Sequence, residues 1–88
     1  MYGNYYGNYY SYRNYDPPRR VLRLWSVGPD VEFVQRVLAG AGYNVGPIDG
    51  IYGPMTMHAV IMFQQDNGLV PDGIVGPMTW AAIDAIYP

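Results

Sequence analysis

The 88-residue sequence has no cysteine, no lysine and a single histidine, and only 14% of it is charged, against roughly 25% in ordinary soluble domains. Without cysteine there is no disulfide framework, no thiolate zinc cluster and no thiol nucleophile, so stability rests on apolar packing. Without lysine, the five scattered arginines cannot form the basic stripe that a phosphate backbone requires, which excludes nucleic acid as a partner. No apolar run approaches the ~20 residues of a membrane span, and no charged segment followed by an apolar core marks a secretion signal. The expectation from Met1 onward is a protein made and used inside a cell or exported by another route. What the chain does have is apolar content, half of its residues, in a length that allows one small domain and no large multidomain enzyme.

The chain divides into residues 1–20 and 21–88. Tyr2, Tyr5, Tyr6, Tyr9, Tyr10, Tyr12 and Tyr15 sit among glycine and asparagine, with Tyr-Gly-Asn-Tyr written twice and no Val, Ile or Leu nearby. Alone, such a segment cannot bury enough aliphatic surface to offset its ordering entropy, which makes it a disordered tail. The alternative is an adhesive arm, since stacked tyrosines and asparagine ladders favour β-like self-association. Asp16-Pro17-Pro18-Arg19-Arg20 reads as a short stiff linker. Beyond it, Arg23 and Arg36 face Asp30, Glu32, Asp49, Asp66, Asp72 and Asp84, so the globular part is mildly acidic.

From Val21 a short irregular lead-in reaches Asp30, which is placed to N-cap a helix over 31–41, with Gly42 at the left-handed closing position. Two octapeptides follow, 23 residues apart: Asp-Gly-Ile-Tyr-Gly-Pro-Met-Thr at 49–56 and Asp-Gly-Ile-Val-Gly-Pro-Met-Thr at 72–79. Each is a turn joined to a helix start. Asp-Gly supplies a side-chain acceptor and a residue tolerant of positive φ, and proline occupies the first helical position, where its missing N–H is not needed. They open helices over 54–66, ending at Asn67-Gly68, and from 77 to about 86. The fold class is all-α: a small three-helix bundle, built on an internally duplicated helical hairpin, carrying an extended low-complexity Tyr-rich arm.

Catalysis fails on inventory. His58 is the only histidine, and Ser11, Ser26, Thr56 and Thr79 lie in no recognisable setting for activating a nucleophile. One histidine and dispersed aspartates make no zinc site, and Asp66-Asn67-Gly68 lacks the spacing of a calcium loop. No enzyme activity, metal or cofactor is expected. His58 reads as a helix-surface or interface residue.

Across 21–86 the residues Leu24, Gly28, Asp30-Val31, Val34-Gln35, Leu38, Gly42-Tyr43, Asp49-Gly50, Tyr52-Gly53, Thr56, Ala59-Val60, Phe63-Gln64, Gly68-Leu69, Asp72-Gly73, Val75-Gly76, Thr79-Trp80 and Ile83 resemble the bacterial peptidoglycan-binding domain, the small three-helix module attached to many cell-wall hydrolases. The resemblance implies a non-catalytic binding module with peptidoglycan as partner. A glycan groove would lie at the repeated loops, with Tyr52 as a sugar-stacking face and Asp49, Asp72, Thr56 and Thr79 as polar contacts. Asp49 and Asp72 also suit loop capping, and Gln35 and Gln64 suit bonding to loop backbone.

Against the family pattern, usually polar helix positions hold Phe33, Val37, Met57, His58, Ile61 and Met62. Phe33 and Val37, like Met57 and Ile61, are four apart and add a second apolar stripe beside the core stripe. So small a domain is expected to leave one stripe exposed or in an interface. Two functions follow: a self-assembling structural component of the cell envelope or spore surface, joined through Phe33, Val37, Met57, Ile61 and Met62 and through Tyr5, Tyr6, Tyr9 and Tyr10 of the arm, or a free-standing monomeric targeting module. Lack of a signal segment fits assembly on a spore from the mother-cell cytoplasm.

Overall fold

The structure, a computed structural model, describes residues 19–87. Three helices, α1 (Pro29–Gly40), α2 (Pro54–Asp66) and α3 (Pro77–Ile86), form the body. Each starts at a proline preceded by a glycine in the capping position, without a side-chain cap. For α2 and α3 this matches the expected starts. For α1 it corrects the expectation: Gly28, not Asp30, precedes the helix, which begins two residues earlier than predicted. Asp30 sits in the first turn, where a carboxylate favours the positive end of the helix dipole.

Helix ends follow the sequence closely. Gly42, at φ 100°, closes α1 as its amide reaches Ala39 O (3.0 Å) and the Tyr43 amide reaches Leu38 O (2.9 Å). The same double closure ends α2, from Gly68 to Gln65 O (3.2 Å) and from Leu69 to Gln64 O (2.9 Å).

α1 packs against both other helices. The core takes Val31, Val34 and Leu38 from α1, Ala59, Val60 and Phe63 from α2, and Trp80 and Ile83 from α3, with Leu22, Val45, Tyr52 and Val75 from the connecting segments. Among the described residues, β pairing is confined to two antiparallel bridges, Leu22 with Val75 and Val27 with Ile51. The lead-in therefore crosses both octapeptide loops. Its anchoring begins before Val21: Trp80 Nε1 donates to Arg20 O (3.0 Å), Arg19 pairs with Asp84 (2.8 Å), and Arg19 lies 4.4 Å from the Trp80 ring centroid. Arg19 and Arg20, the last residues of the linker read from sequence, thus make contacts with the helical body.

Much of the apolar surplus finds partners within the domain, so the second stripe is half-buried rather than bare. Phe33 stacks with Trp80 (6.4 Å) and meets Tyr87 edge-on (4.9 Å). Phe33, Val37 and Met57 rest against the core, and Ile61 is half-buried. Met62 remains 40% exposed, and His58 is exposed on α2. The tyrosines assigned to an adhesive arm, Tyr5, Tyr6, Tyr9 and Tyr10, lie outside the described residues.

Arg20 pins the lead-in to α1 through Asp30, donating from Nε to Oδ2 (2.7 Å) and from Nη2 to Oδ1 (2.9 Å). That hydrogen bonding, opposed by slight desolvation, holds the Asp30 carboxyl below its ordinary range. A lowered folded pKa gives stability that is complete above the unfolded value, near pH 4, and is lost as pH falls through the folded value. Asp30→Asn is expected to lower stability at pH 7 by under about 1 kcal/mol, the ceiling for a solvent-screened pair, with the difference from the native chain shrinking below about pH 4. Urea melts of both chains from pH 3 to pH 7 measure it.

Candidate functional site

The two octapeptides fold alike around a buried glutamine from the preceding helix. Gln35 Nε2 donates to Ile51 O (3.0 Å), Thr56 Oγ1 (3.0 Å) and, at longer range, Asp49 Oδ1 (3.3 Å), while its Oε1 accepts from the Asp49 (3.1 Å) and Gly50 (2.9 Å) amides. Gln64 repeats the arrangement: Nε2 donates to Ile74 O (2.9 Å), Thr79 Oγ1 (3.1 Å) and Asp72 Oδ1 (3.1 Å), and Oε1 accepts from the Gly73 amide (2.9 Å). Both glutamines are fully enclosed. A primary amide offers two N–H groups and one carbonyl, which matches the mixture of donors and acceptors that a sharp turn leaves unpaired.

Asp49 and Asp72 close each turn, Oδ1 accepting the Ile51 and Ile74 amides (2.9 Å each). Gly50 and Gly73 stand at φ 76° and 74°, where a side chain is strained, and space agrees: a Cβ on Gly73 would lie 2.9 Å from Met57 Cγ. The Met57–Ile61 stripe of α2 thus covers the back of the second loop.

Burial sorts the sequence-assigned contacts. Tyr52 is fully buried, its hydroxyl donating to Gly73 O at 2.6 Å, and burial together with the Asp72 charge holds the phenol well above its ordinary range. A sugar cannot stack on it, and the assignment as a sugar-facing ring is corrected: the ring fills the space between the two loops. Thr56 and Thr79 are also buried, their hydroxyls accepting from the glutamines, with Thr56 donating onward to Val45 O (2.9 Å). Asp49 and Asp72 alone of the five are exposed.

The exposed faces of the loops form two clefts. One, about 260 Å³, is bounded by Trp25, Val45, Pro47, Asp49, Ile51 and Met55. The other, about 350 Å³, is bounded by Leu69, Val70, Asp72, Ile74 and Met78. A third groove, about 480 Å³, runs between α1 and the end of α3 along Phe33, Arg36, Val37, Ile86 and Tyr87. Sequence reasoning missed Trp25, counted there only as part of the lead-in. Among the described residues no group of three or more His, Cys, Asp or Glu is placed to hold a metal, and no helix is long and apolar enough to cross a membrane.

Removing either glutamine strands several buried partners at once, each costing about 1–3 kcal/mol. Gln64→Ala and Gln35→Ala are each expected to lower stability by about 2–4 kcal/mol, and Tyr52→Phe, which strands only the Gly73 carbonyl, by about 1–2 kcal/mol. Because Tyr52 and Gln64 both hold Gly73, the double variant Tyr52→Phe with Gln64→Ala is expected to cost less than the two losses added. Denaturant titration of the four chains checks this, and additive losses would mean that the loops are held independently.

Comparison with known proteins agrees with this geometry. The family described as "Putative peptidoglycan binding domain" matches residues 27–83. An "Uncharacterized protein in bpoA1 3'region" of Kitasatospora aureofaciens is 48% identical over 58 residues, 65% of this chain and 49% of that protein. The spore cortex-lytic enzyme of Bacillus subtilis is 43% identical over 61 residues, covering 68% of this chain and 20% of the enzyme. The crystal structure of the Burkholderia AP3 phage endolysin superposes with a TM-score of 0.71 at 48% identity, over 76% of this chain and 25% of the endolysin. The chain thus spans about half the length of the first relative and a quarter or less of the other two. With its matched residues forming α1, α2, most of α3 and both glutamine-framed loops, the chain belongs to the peptidoglycan-binding domain family.

Proposed function

We propose that this chain is a non-catalytic module that holds to peptidoglycan at the bacterial cell wall, through the exposed faces of its repeated loops. The observation that carries the reading is the family match over 27–83, which includes both loops and the helices that brace them. Asp49 and Asp72 supply the polar contacts: each turn uses Oδ1 internally, and Oδ2 takes no hydrogen bond among the described residues. Tyr52, Thr56 and Thr79 serve the binding surface from behind, by fixing the loops. Similarity to a spore cortex-lytic enzyme favours the cell envelope or the spore surface as the location.

Incubation of the whole chain with purified, enzyme-free sacculi tests the reading. Retention in the pelleted fraction is expected, with release by soluble muropeptide fragments, and Asp49→Asn with Asp72→Asn, which keeps the turn acceptors and removes the charge, is expected to weaken it. A chain that stays in the supernatant at every concentration overturns the proposal.

A second reading, assembly of copies into a structural layer, is favoured by the open groove along Phe33, Val37, Ile86 and Tyr87, where Ile86 and Tyr87 remain exposed. An apolar groove on so small a domain suits a second chain, and Met62 adds an exposed contact on α2. The Tyr-rich residues 1–15 would add aromatic side chains to such contacts. Sedimentation velocity of residues 1–88 against residues 19–88 is expected to show larger species for the full chain, growing with concentration. Two monomers at all concentrations would exclude assembly.

A further inference from the structure

Trp25 is the only described non-glycine residue with a positive φ, at 75°. It occupies the third position of a turn closed by the Ser26 amide on Arg23 O (2.8 Å), where the left-handed conformation ordinarily selects glycine or asparagine. A bulky L-residue there is a conformational outlier. Nothing in the core demands it, because Trp25 is 62% exposed, whereas Trp80, the second tryptophan, is 5% exposed and packed. The Trp25 amide donates to Tyr52 O at 2.7 Å, which fixes the backbone of the strained residue to the first repeated loop. The indole is thereby held at the rim of the cleft that contains Asp49.

We propose that Trp25 and Asp49 form a site for one pyranose ring of a glycan strand, the indole face lying against the C–H face of the sugar and the Asp49 carboxylate accepting from a hydroxyl or acetamido N–H. The inference rests on the wall-binding reading and names the subsite and the sugar, rather than the peptide, as what is recognised. Size supports a single ring: the cleft, about 260 Å³, is smaller than pockets for drug-sized ligands. Apart from Asp49 and Thr56, whose hydroxyl is taken up by Gln35 and Val45 O, its lining is apolar and holds no arginine, which suits a neutral donor-rich ligand and disfavours an anion. Tryptophan offers a wide rigid face with only two side-chain torsions to immobilise. The equivalent cleft at the second loop has Asp72 and Met78 but no aromatic wall, so the strained tryptophan is what distinguishes the first.

Sacculus retention and thermal melts of the native chain, Trp25→Gly and Trp25→Phe test the proposal together. Trp25→Gly removes the aromatic face and relieves the backbone, so its melting temperature is expected to match or exceed that of the native chain while retention weakens at least about tenfold. Trp25→Phe keeps a ring at the same place and is expected to stay within about threefold of native retention. Native retention by Trp25→Gly overturns the subsite and leaves the wall-binding reading standing. Loss of retention by Trp25→Phe equal to that of Trp25→Gly overturns stacking. No retention of the native chain overturns the wall-binding reading and this inference with it.

Discussion

Two buried glutamine amides hold this domain in shape, and much else in the structure follows from them. A short chain with two sharp turns between helices must satisfy the backbone groups those turns strand, and it has few buried polar side chains with which to do so. Gln35 and Gln64 each meet a turn carbonyl, a threonine hydroxyl and an aspartate from one amide nitrogen, and from one oxygen two turn amides for Gln35 and one for Gln64. Glycine is then required where the turn passes closest, and threonine where the next helix begins. The halves are tied by Tyr52, which leaves the first loop to bond Gly73 in the second. That link gives a role to the single difference between the octapeptides: both positions pair through backbone with the lead-in, but only Tyr52 carries a hydroxyl that spans the gap, where Val75 has none.

Much of this was legible in the sequence, because it depends on local chemistry. Gly-Pro junctions, closing glycines and apolar spacing located α2 and α3 and the ends of α1 and α2, and the repeat located the loops. The start of α1 was misread for an instructive reason. Asp30 has the chemistry of a cap, but the Gly28-Pro29 junction is the device that opens the other two helices, and it governs here as well. Asp30 is drawn instead to Arg20, a contact between the lead-in and the helix that periodicity cannot reveal. Tyr52 was misplaced because a tyrosine in a polar loop has no periodicity to say which way its ring points. Only the second loop, brought near by the fold, supplies the carbonyl that draws it inward.

The shortage of charge has a similar explanation. Phe33 on α1 is matched by Trp80 of α3 and by Tyr87 just beyond it, with the Arg19 guanidinium 5.7 Å from its ring centroid, and Met57 and Ile61 back the second turn. Side chains that an isolated helix would present to water become a second layer of packing once short loops bring three helices and a lead-in together. A domain of this size buries a smaller fraction of its surface than a larger one, so such partial layers form a substantial part of its apolar contact.

What the frame leaves outward then decides where binding can occur. Along each octapeptide the second, fourth and eighth positions turn inward, and the first, sixth and seventh face solvent. The inward residues are committed to the glutamine and to the core, so variation there is limited by folding. The outward ones have no such duty. Duplication alone would give two equivalent faces, but the lead-in crosses them differently: Leu22 enters the core beside Val75, whereas Trp25 and Val27 remain at the surface beside Tyr52 and Ile51. A single extended segment thus breaks the symmetry of the repeat, giving the first loop an aromatic wall that the second lacks. Because the strained turn at Trp25 is anchored by the Tyr52 carbonyl, and Tyr52 is fixed in turn by Gly73, the position of that wall depends on the integrity of both loops.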